Sequence, residues 1–392
     1  MSLLRRLAAL LLLLCAPAWA ALPLPPAEPG KLTVYFFDVG QGDAALIVSP
    51  TGKTVLVDGG PPDGGALSRR LRTLVEGPLD LMVLTHPHLD HLGGLPSVLE
   101  APGARRYMDP GFDHTTSSYR DLLRKVGELD VPLLEPEVTE AGGPFTLDLG
   151  GDARMTVLWP RRPKEPFLTG TRSDANANSI VFRIDHGAVS FLFTGDGEAD
   201  TEARLLRSGQ KLGATVLKAP HHGSRHSSQE PFLKRVAPKH VVVSCGRDNE
   251  YRHPHEHALR RYRGVGAQIH RTDESGDLLA VSDGREVHVA PAAGRPVAEA
   301  TQKPPPEERP RAPMSTHRVP QPVTPVVVER VVEVEPATAR TPSVRYAASR
   351  KSEVFHKADC GAVKRIAEHN LVLFDSREDA VSQKRPAGDC HP

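Results

Sequence analysis

The chain has 392 residues, 39% of them hydrophobic and 25% charged, with 49 basic against 48 acidic side chains and a net charge of +1. That length holds one large domain or two ordinary ones with a sizeable core. The balance of charge excludes a grossly basic nucleic-acid coat and an acidic tail, so any attraction to polyanions has to come from a local patch or a metal site.

In chain order, Arg5 and Arg6 precede an apolar run from Leu7 to Cys15, and "APAWA" ends with small residues at Ala18 and Ala20. This is the pattern of a secretory signal peptide, residues 1–20, cut after Ala20. The run is too short to span a bilayer, so the mature chain is expected to be exported, periplasmic or extracellular, with no membrane span. Beyond Cys15 only Cys245, Cys360 and Cys390 remain, too few for a disulfide framework. Cys245, closing "HVVVSCG", reads as a small buried core residue.

From about 31 to 290 the pattern is that of a compact α/β domain. "LTVYFFDVG", "ALIVSP", "TVLVDGG", "LDLMVLTH", "SIVFRID", "VSFLFTGD", "ATVLKAP" and "HVVVSCG" are short apolar runs bounded by Gly, Pro and Asp, and they read as strands. "GALSRRLRTLVE", "GEADTEARLLRSG" and "HEHALRRYRGVG" read as helices. Strands that first follow one another and then alternate with helices predict stacked sheets faced by helices. Between the first two strands, "DVGQGDA" reads as a hairpin in which Gly40 and Gly42 allow positive φ and Asp38 and Asp43 fix the turn. Residues 291–345, rich in proline and charge, read as a disordered tether. Residues 346–392 regain apolar spacing, and so small a unit needs a staple to fold.

The chemistry concentrates in "LTHPHLDHLGG", where His86, His88, Asp90 and His91 follow an apolar strand. On an extended segment His86 and His88 point the same way and can take one cation together; Asp90 and His91, turned by the start of a helix, can face a second. Partners occur at other strand ends: Asp58 after "TVLV", Asp196 after "VSFLFTG", His221 and His222 after "ATVLKAP". Each place repeats one plan of apolar strand, ligand-type residue and glycine.

With those motifs in hand, the chain resembles the metallo-β-lactamase superfamily. More narrowly, "FFDVGQGDAALI", "THPHLDHLGGL", "ANSIVFRI", "LKAPHHGSRHSS" and "CGRDNEYRHPH" are similar, in order, to the soluble hydrolase-like domain of ComEC-type competence proteins. The resemblance implies an αββα sandwich with two divalent ions, zinc or manganese, at its rim. His86 and His88 would hold the first ion, Asp90, His91 and His221 the second, with Asp196 bridging and Asp58 orienting histidine ligands. Many superfamily members carry a further histidine where this chain has Asn176 and Asn178, which weakens the first site and favours manganese.

Two such ions about 3.5–4 Å apart would activate a water and stabilise both the attacking and the leaving oxygen. Phosphodiester, lactone and lactam substrates all suit that chemistry. Lys218, Ser224, Arg225, Ser227 and Ser228 around "HHGS" favour phosphate, which such donors bind without base specificity. "NEYRHPH" adds Asn249 and His253, and His253 or His222 is placed to protonate a leaving oxygen. The function expected is metal-dependent hydrolysis of DNA, with Asp90, Asp196, His222 and His253 as catalytic residues. A small ester, lactone or lactam hydrolase and a non-catalytic nucleic-acid-binding module are the alternatives.

The tail, "VFHKADC" followed by "RPAGDCHP", is similar to the small zinc-binding domain of the Ada DNA-repair protein. His356, Cys360 and Cys390 fall on ligand positions, Ala387 replaces one ligand, and His391 is the nearby substitute. One structural zinc ion, a Cys360–Cys390 disulfide, or neither stays open on the sequence.

Overall fold

The computed structural model describes residues 24–139 and 141–292 and, further along, 346–349, 354–357, 363, 371–374, 380 and 385–386. The expected signal peptide and residues 293–345 of the expected tether lie outside the described residues. The chain divides into two compact units, Met1–Pro296 and Val297–Pro392.

Strands of the first unit are β1 (Leu32–Phe36), β2 (Ala45–Val48), β3 (Thr54–Val57), β4 (Leu81–Val83), β5 (Tyr107–Met108), β6 (Thr146–Gly150) and β7 (Ala153–Trp159). They continue as β8 (Val181–His186), β9 (Val189–Phe193), β10 (Val216–Lys218), β11 (His240–Val243), β12 (Gln268–Arg271), β13 (Leu278–Ser282) and β14 (Val287–Pro291). One sheet has the order β14-β13-β1-β2-β3-β4-β5, the other β12-β11-β10-β9-β8-β7-β6. Helices that serve the argument are α1 (Ala66–Leu71), α2 (Leu89–Leu92), α3 (Leu95–Glu100), α4 (Ser117–Glu128), α5 (Asp174–Ala177), α6 (Ala199–Arg207), α7 (Glu230–Val236) and α8 (Glu256–Gly264).

The layering follows from residue alternation. In β1, Val34 and Phe36 enter the core between the sheets, whereas Tyr35 belongs to the cluster that includes the apolar residues of α1, α3 and α4. In β10 and β11, Val216 and Val242 point inward, and Leu217, Val241 and Val243 pack with the apolar residues of α6, α7 and α8. A strand covered on both faces reads as a continuous apolar run, which is how these strands look in sequence. Cys245 is fully buried in that last cluster. The result is helices, sheet, sheet, helices: the αββα sandwich.

Two parallel sets aim their carboxyl ends at one rim. β3, β4 and β5 run parallel in the first sheet, and β9, β10, β11 and β12 in the second. Every candidate ligand lies just past one of those ends. β14 runs through Pro291, and Ala292 N donates to Asp277 O, so the sheet includes the first residue expected to belong to the tether.

In the second unit β15 (Tyr346–Ser349), β16 (Val354–Lys357), β17 (Leu371–Phe374) and β18 (Arg385–Pro386) form a sheet in the order β17-β15-β16-β18. Ala348, Phe355, Phe374 and Ala380 make its small core. His356 lies on β16, half-buried; Cys360, Cys390 and His391, the other zinc candidates, lie outside the described residues.

Candidate metal centre

β4 delivers the chain to Thr85 and His86, and the backbone turns at His88 into α2, which carries Asp90 and His91. Across the rim, β9 delivers Asp196 and β10 delivers a 3₁₀ turn, Pro220–Gly223. Within that turn His221 and His222 both adopt left-handed φ values, 48° and 52°. Non-glycine residues rarely do so, and the strain persists only where surrounding contacts over-determine it. Here the contacts are hydrogen bonds from His221 N to Gly195 O and from His255 N to Gly223 O.

Asp196 is the hub. Its carboxylate lies 3.8 Å from His86 Nε2, 3.3 Å from His91 Nε2, 3.6 Å from His221 Nε2 and 3.7 Å from His222 Nε2. Asp90 Oδ2 stands 3.3 Å from His222 Nε2, and His86 Nε2 stands 3.1 Å from His88 Nδ1. Three of these rings are gripped from behind at Nδ1: His91 by Asp58 at 2.8 Å, His221 by Glu198 at 3.0 Å, and His222 by Ser244 O at 3.0 Å with Asp43 at 3.3 Å. Carboxylate-gripped rings with free Nε2 atoms are the usual outer arrangement of a metal site. Among the described residues, buried His91 Nε2, His222 Nε2 and Asp196 Oδ1 have no hydrogen-bond partner. Buried polar atoms normally find one, so these orphans, facing one another, fit missing cations.

Electrostatics agree. Asp43, Asp58 and Asp196 are buried together, with Asp90 at their edge. Burial would raise Asp196, yet His221, His91 and His222 outweigh it and hold the carboxyl well below its ordinary value. Burial alone would lower His222, but Asp196 and Asp43 push it up to about 10. Burial pushes His88 down to about 4. Burial would lower His91 too, but Asp196, Asp58 and Asp90 push it well up, and the same carboxylates would attract divalent cations. Groups able to hold an ion are His86, His91 and Asp196; Asp90, His91 and His222; and Asp43, Asp196 and His222.

Residues 37–247 match the family described as the metallo-beta-lactamase superfamily. The chain belongs to that superfamily. It is 30% identical over 276 residues to an uncharacterized protein, YcaI, of Escherichia coli, a match covering 68% of this chain and 31% of that protein. It is 26% identical over 287 residues to ComE operon protein 3 of Bacillus subtilis, covering 68% and 35%. With Recombination protein 2 of Haemophilus influenzae it shares 30% over 246 residues, covering 62% and 28%. The match thus spans about a third of these relatives, which include ComEC-type competence proteins. The chain's buried His and Asp clusters suit the divalent ions that the superfamily's name implies.

The structure redistributes several residues singled out in the sequence. Asp90 and His91 converge with His222, whereas His221 leans on Glu198 beside His86 and Asp196. Lys218 is no free phosphate donor: it is buried, 2.7 Å from Asp43 and 3.1 Å from Ala219 O. Ser224, Ser227 and Ser228 are buried as well; Ser224 Oγ accepts from His226 N and Ser228 Oγ pairs with Tyr262. Arg225 alone of that set is exposed. Asn178 is buried away from the ligands, bonded to Leu168 and Asp174, and Asn249 clamps the backbone of Gly246 and His253. His253 packs beside His221, His222 and Tyr251, and burial, then the charges of His222 and His221, hold it well below its ordinary value. It therefore lacks at neutral pH the proton that an acid would give.

Glu198 and His114 went unread in the sequence, and Asp43 was read there only as a turn residue, whereas it pairs with Lys218 and leaves Asp38 to accept from Gly40 N. Asp43 sits in the hairpin taken as mere architecture, and Glu198 two residues beyond Asp196. His114, 5.8 Å from His88 ring to ring, follows the very short β5. Asp43 precedes β2 rather than following a strand, and Glu198 lies five residues past β9, so neither stands at a strand exit as Asp58 and Asp196 do.

Proposed function

We propose that the rim holds two divalent cations, zinc or manganese, and hydrolyses phosphodiester bonds of DNA outside the cytoplasm. The observation that carries this reading is Asp196 facing four imidazole Nε2 atoms while carboxylates grip three of those rings from behind. His86 and His88 would serve one ion, Asp90, His91 and His222 the other, with Asp196 between them and His221 closing the first set where other superfamily members use a histidine absent here. Bound there, the cations would supply an acidified water and charge neutralisation at the phosphoryl oxygens.

The chain's own residues do the rest. Asp58, Glu198 and Asp43 fix ring orientation, so the donor atoms need no reorganisation when substrate arrives. Arg225, exposed beside the turn, is placed for a strand's phosphates, and neutral His253 for a hydrogen bond to substrate. The names of relatives, a recombination protein and a competence operon protein, support nucleic acid as the substrate class.

Chelator-stripped protein incubated with linear single- and double-stranded DNA, then given Mn²⁺ or Zn²⁺, tests the reading. Cleavage that appears only with metal supports it. Efficient opening of nitrocefin or a lactone with DNA left intact would transfer the assignment to small-molecule hydrolysis.

A further inference from the structure

Beside the metal centre lies a cavity of about 200 Å³ whose walls include Asp109, Leu133, Glu135, Glu137, Arg162 and Phe167. The hydrolysis described above uses none of these side chains. Three segments build it: one leaving β5, one leaving β7, and residues 133–137 between α4 and β6. On the first, Tyr119 Oη donates to Asp109 at 2.9 Å, and the His114 ring stands 6.4 Å from Tyr119 and 5.8 Å from His88. On the second, Leu168 is bonded through both its N–H and its carbonyl to Asn178, each at 2.8 Å. Four residues on, Arg172 Nε donates to Glu198 at 3.1 Å, and Glu198 grips His221. β5 pairs with β4, and Leu84 N donates to Met108 O, so Asp109 stands at the end of the strand next to the one that carries His86.

Its chemistry is selective. Asp109, Glu135 and Glu137 are three carboxylates against one guanidinium, so the cavity repels a phosphate. The Arg162 guanidinium lies 5.2 Å from the Phe167 ring centre, and Phe112 meets that ring edge-on at 5.4 Å. Half of the Leu133 surface is exposed, and it adds an apolar contact. The space is below that of a cleft for a drug-sized ligand and suits one planar ring system. A flat, uncharged ring system with N–H donors suits these walls: its face against the stacked Phe167–Arg162 pair, its N–H groups toward Glu135 and Glu137.

We propose that this cavity receives one nucleobase of the strand whose phosphodiester lies at the metal centre. The inference rests on the phosphodiesterase reading and adds to it a base-binding subsite. Stacking tolerates every base, so the subsite distinguishes a strand with bases from a bare backbone rather than one sequence from another.

The test compares two fluorescent phosphorothioate strands of equal length that resist cleavage, one with bases and one abasic, bound to the full-length Mn²⁺-loaded protein. The expected result is about tenfold tighter binding of the base-bearing strand, as loss of one stacked base predicts. In Phe167→Ala that preference disappears while the salt dependence, which reports phosphate contacts, keeps its slope. Phe167→Leu, which keeps the bulk and removes the ring, is expected to behave likewise, so the test does not hang on one variant. Equal binding of the two strands by the wild type, or a preference that survives both variants, overturns the subsite and leaves the hydrolytic reading standing. Failure of both strands to bind, with no diester cleaved, overturns the two together.

Discussion

Asp43 and Lys218 show how a charge pair 175 positions apart serves a histidine. The Lys218 ammonium is buried against Asp43, and Asp43 in turn lies 3.3 Å from His222 Nδ1. Removing one partner of a buried pair leaves the other charge unpaired, at a cost of about 3–5 kcal/mol. Asp43→Ala is expected to lower stability by that amount in denaturant unfolding at neutral pH. Burial would raise the Asp43 carboxyl, but Lys218 and then His222 outweigh it and hold it below its ordinary 3.8. A depressed folded value means the stabilisation is whole above 3.8 and is lost as pH falls through that depressed value. The gap between metal-free wild type and Asp43→Ala should therefore narrow in acid; a gap that widens contradicts the pairing. Arg225, by contrast, is exposed, and Arg225→Ala should weaken DNA binding for all sequences and reduce the salt slope by about one. At this scale the sequence displayed His86, His88, Asp90, His91 and Asp196, because each follows a strand in a recognisable run. It hid Glu198, the pairing of Asp43 and the burial of Lys218, because those depend on which distant side chain lies opposite.

Among the elements, the hairpin after β1, the loop after β3 and helix α2 meet backbone to backbone. Asp43 N donates to Asp90 O, Gly60 N to Asp43 O, and Gly59 N to His91 O. Gly42 makes that approach possible: its φ is 153°, and a Cβ there would collide with the Asp90 carbonyl oxygen and stand 2.9 Å from Pro61 Cδ. A Cβ on Gly94 would strike Gly59 O. Gly42→Ala and Gly94→Ala are both expected to shift α2, lowering metal retention after dialysis and the thermal midpoint together. Unchanged metal content in either variant would show that α2 is not held this way. The eight apolar runs read as strands correspond to β1–β4 and β8–β11, whose side chains are buried on both faces. β6 is half exposed and β7 carries Arg154 and Thr156 between its buried residues, so neither shows a continuous apolar run. Helix α4 also went unread, although its amphipathic spacing of Tyr119, Leu122 and Val126 is sound.

For the whole molecule, the sandwich works by bringing strand ends from two sheets to one rim, where β4 supplies histidines, β9 the aspartate and β10 the opposing pair. That architecture was legible because the order of strands and helices is a chain-level pattern that survives local errors. The partition of His221 and His222 was not, since adjacent residues on a left-handed turn point in directions that no strand periodicity predicts. Among the described residues no helix is long and apolar enough to cross a membrane. If cations joined by Asp196 do the hydrolysis, the initial rate of DNA cleavage by chelator-stripped protein as Mn²⁺ is titrated in reports it most directly. The predicted curve starts at zero and reaches its plateau near two equivalents, and Asp196→Asn stays flat at every metal concentration. Cleavage without metal at the plateau rate, or an Asp196→Asn curve that matches the wild type, would contradict it.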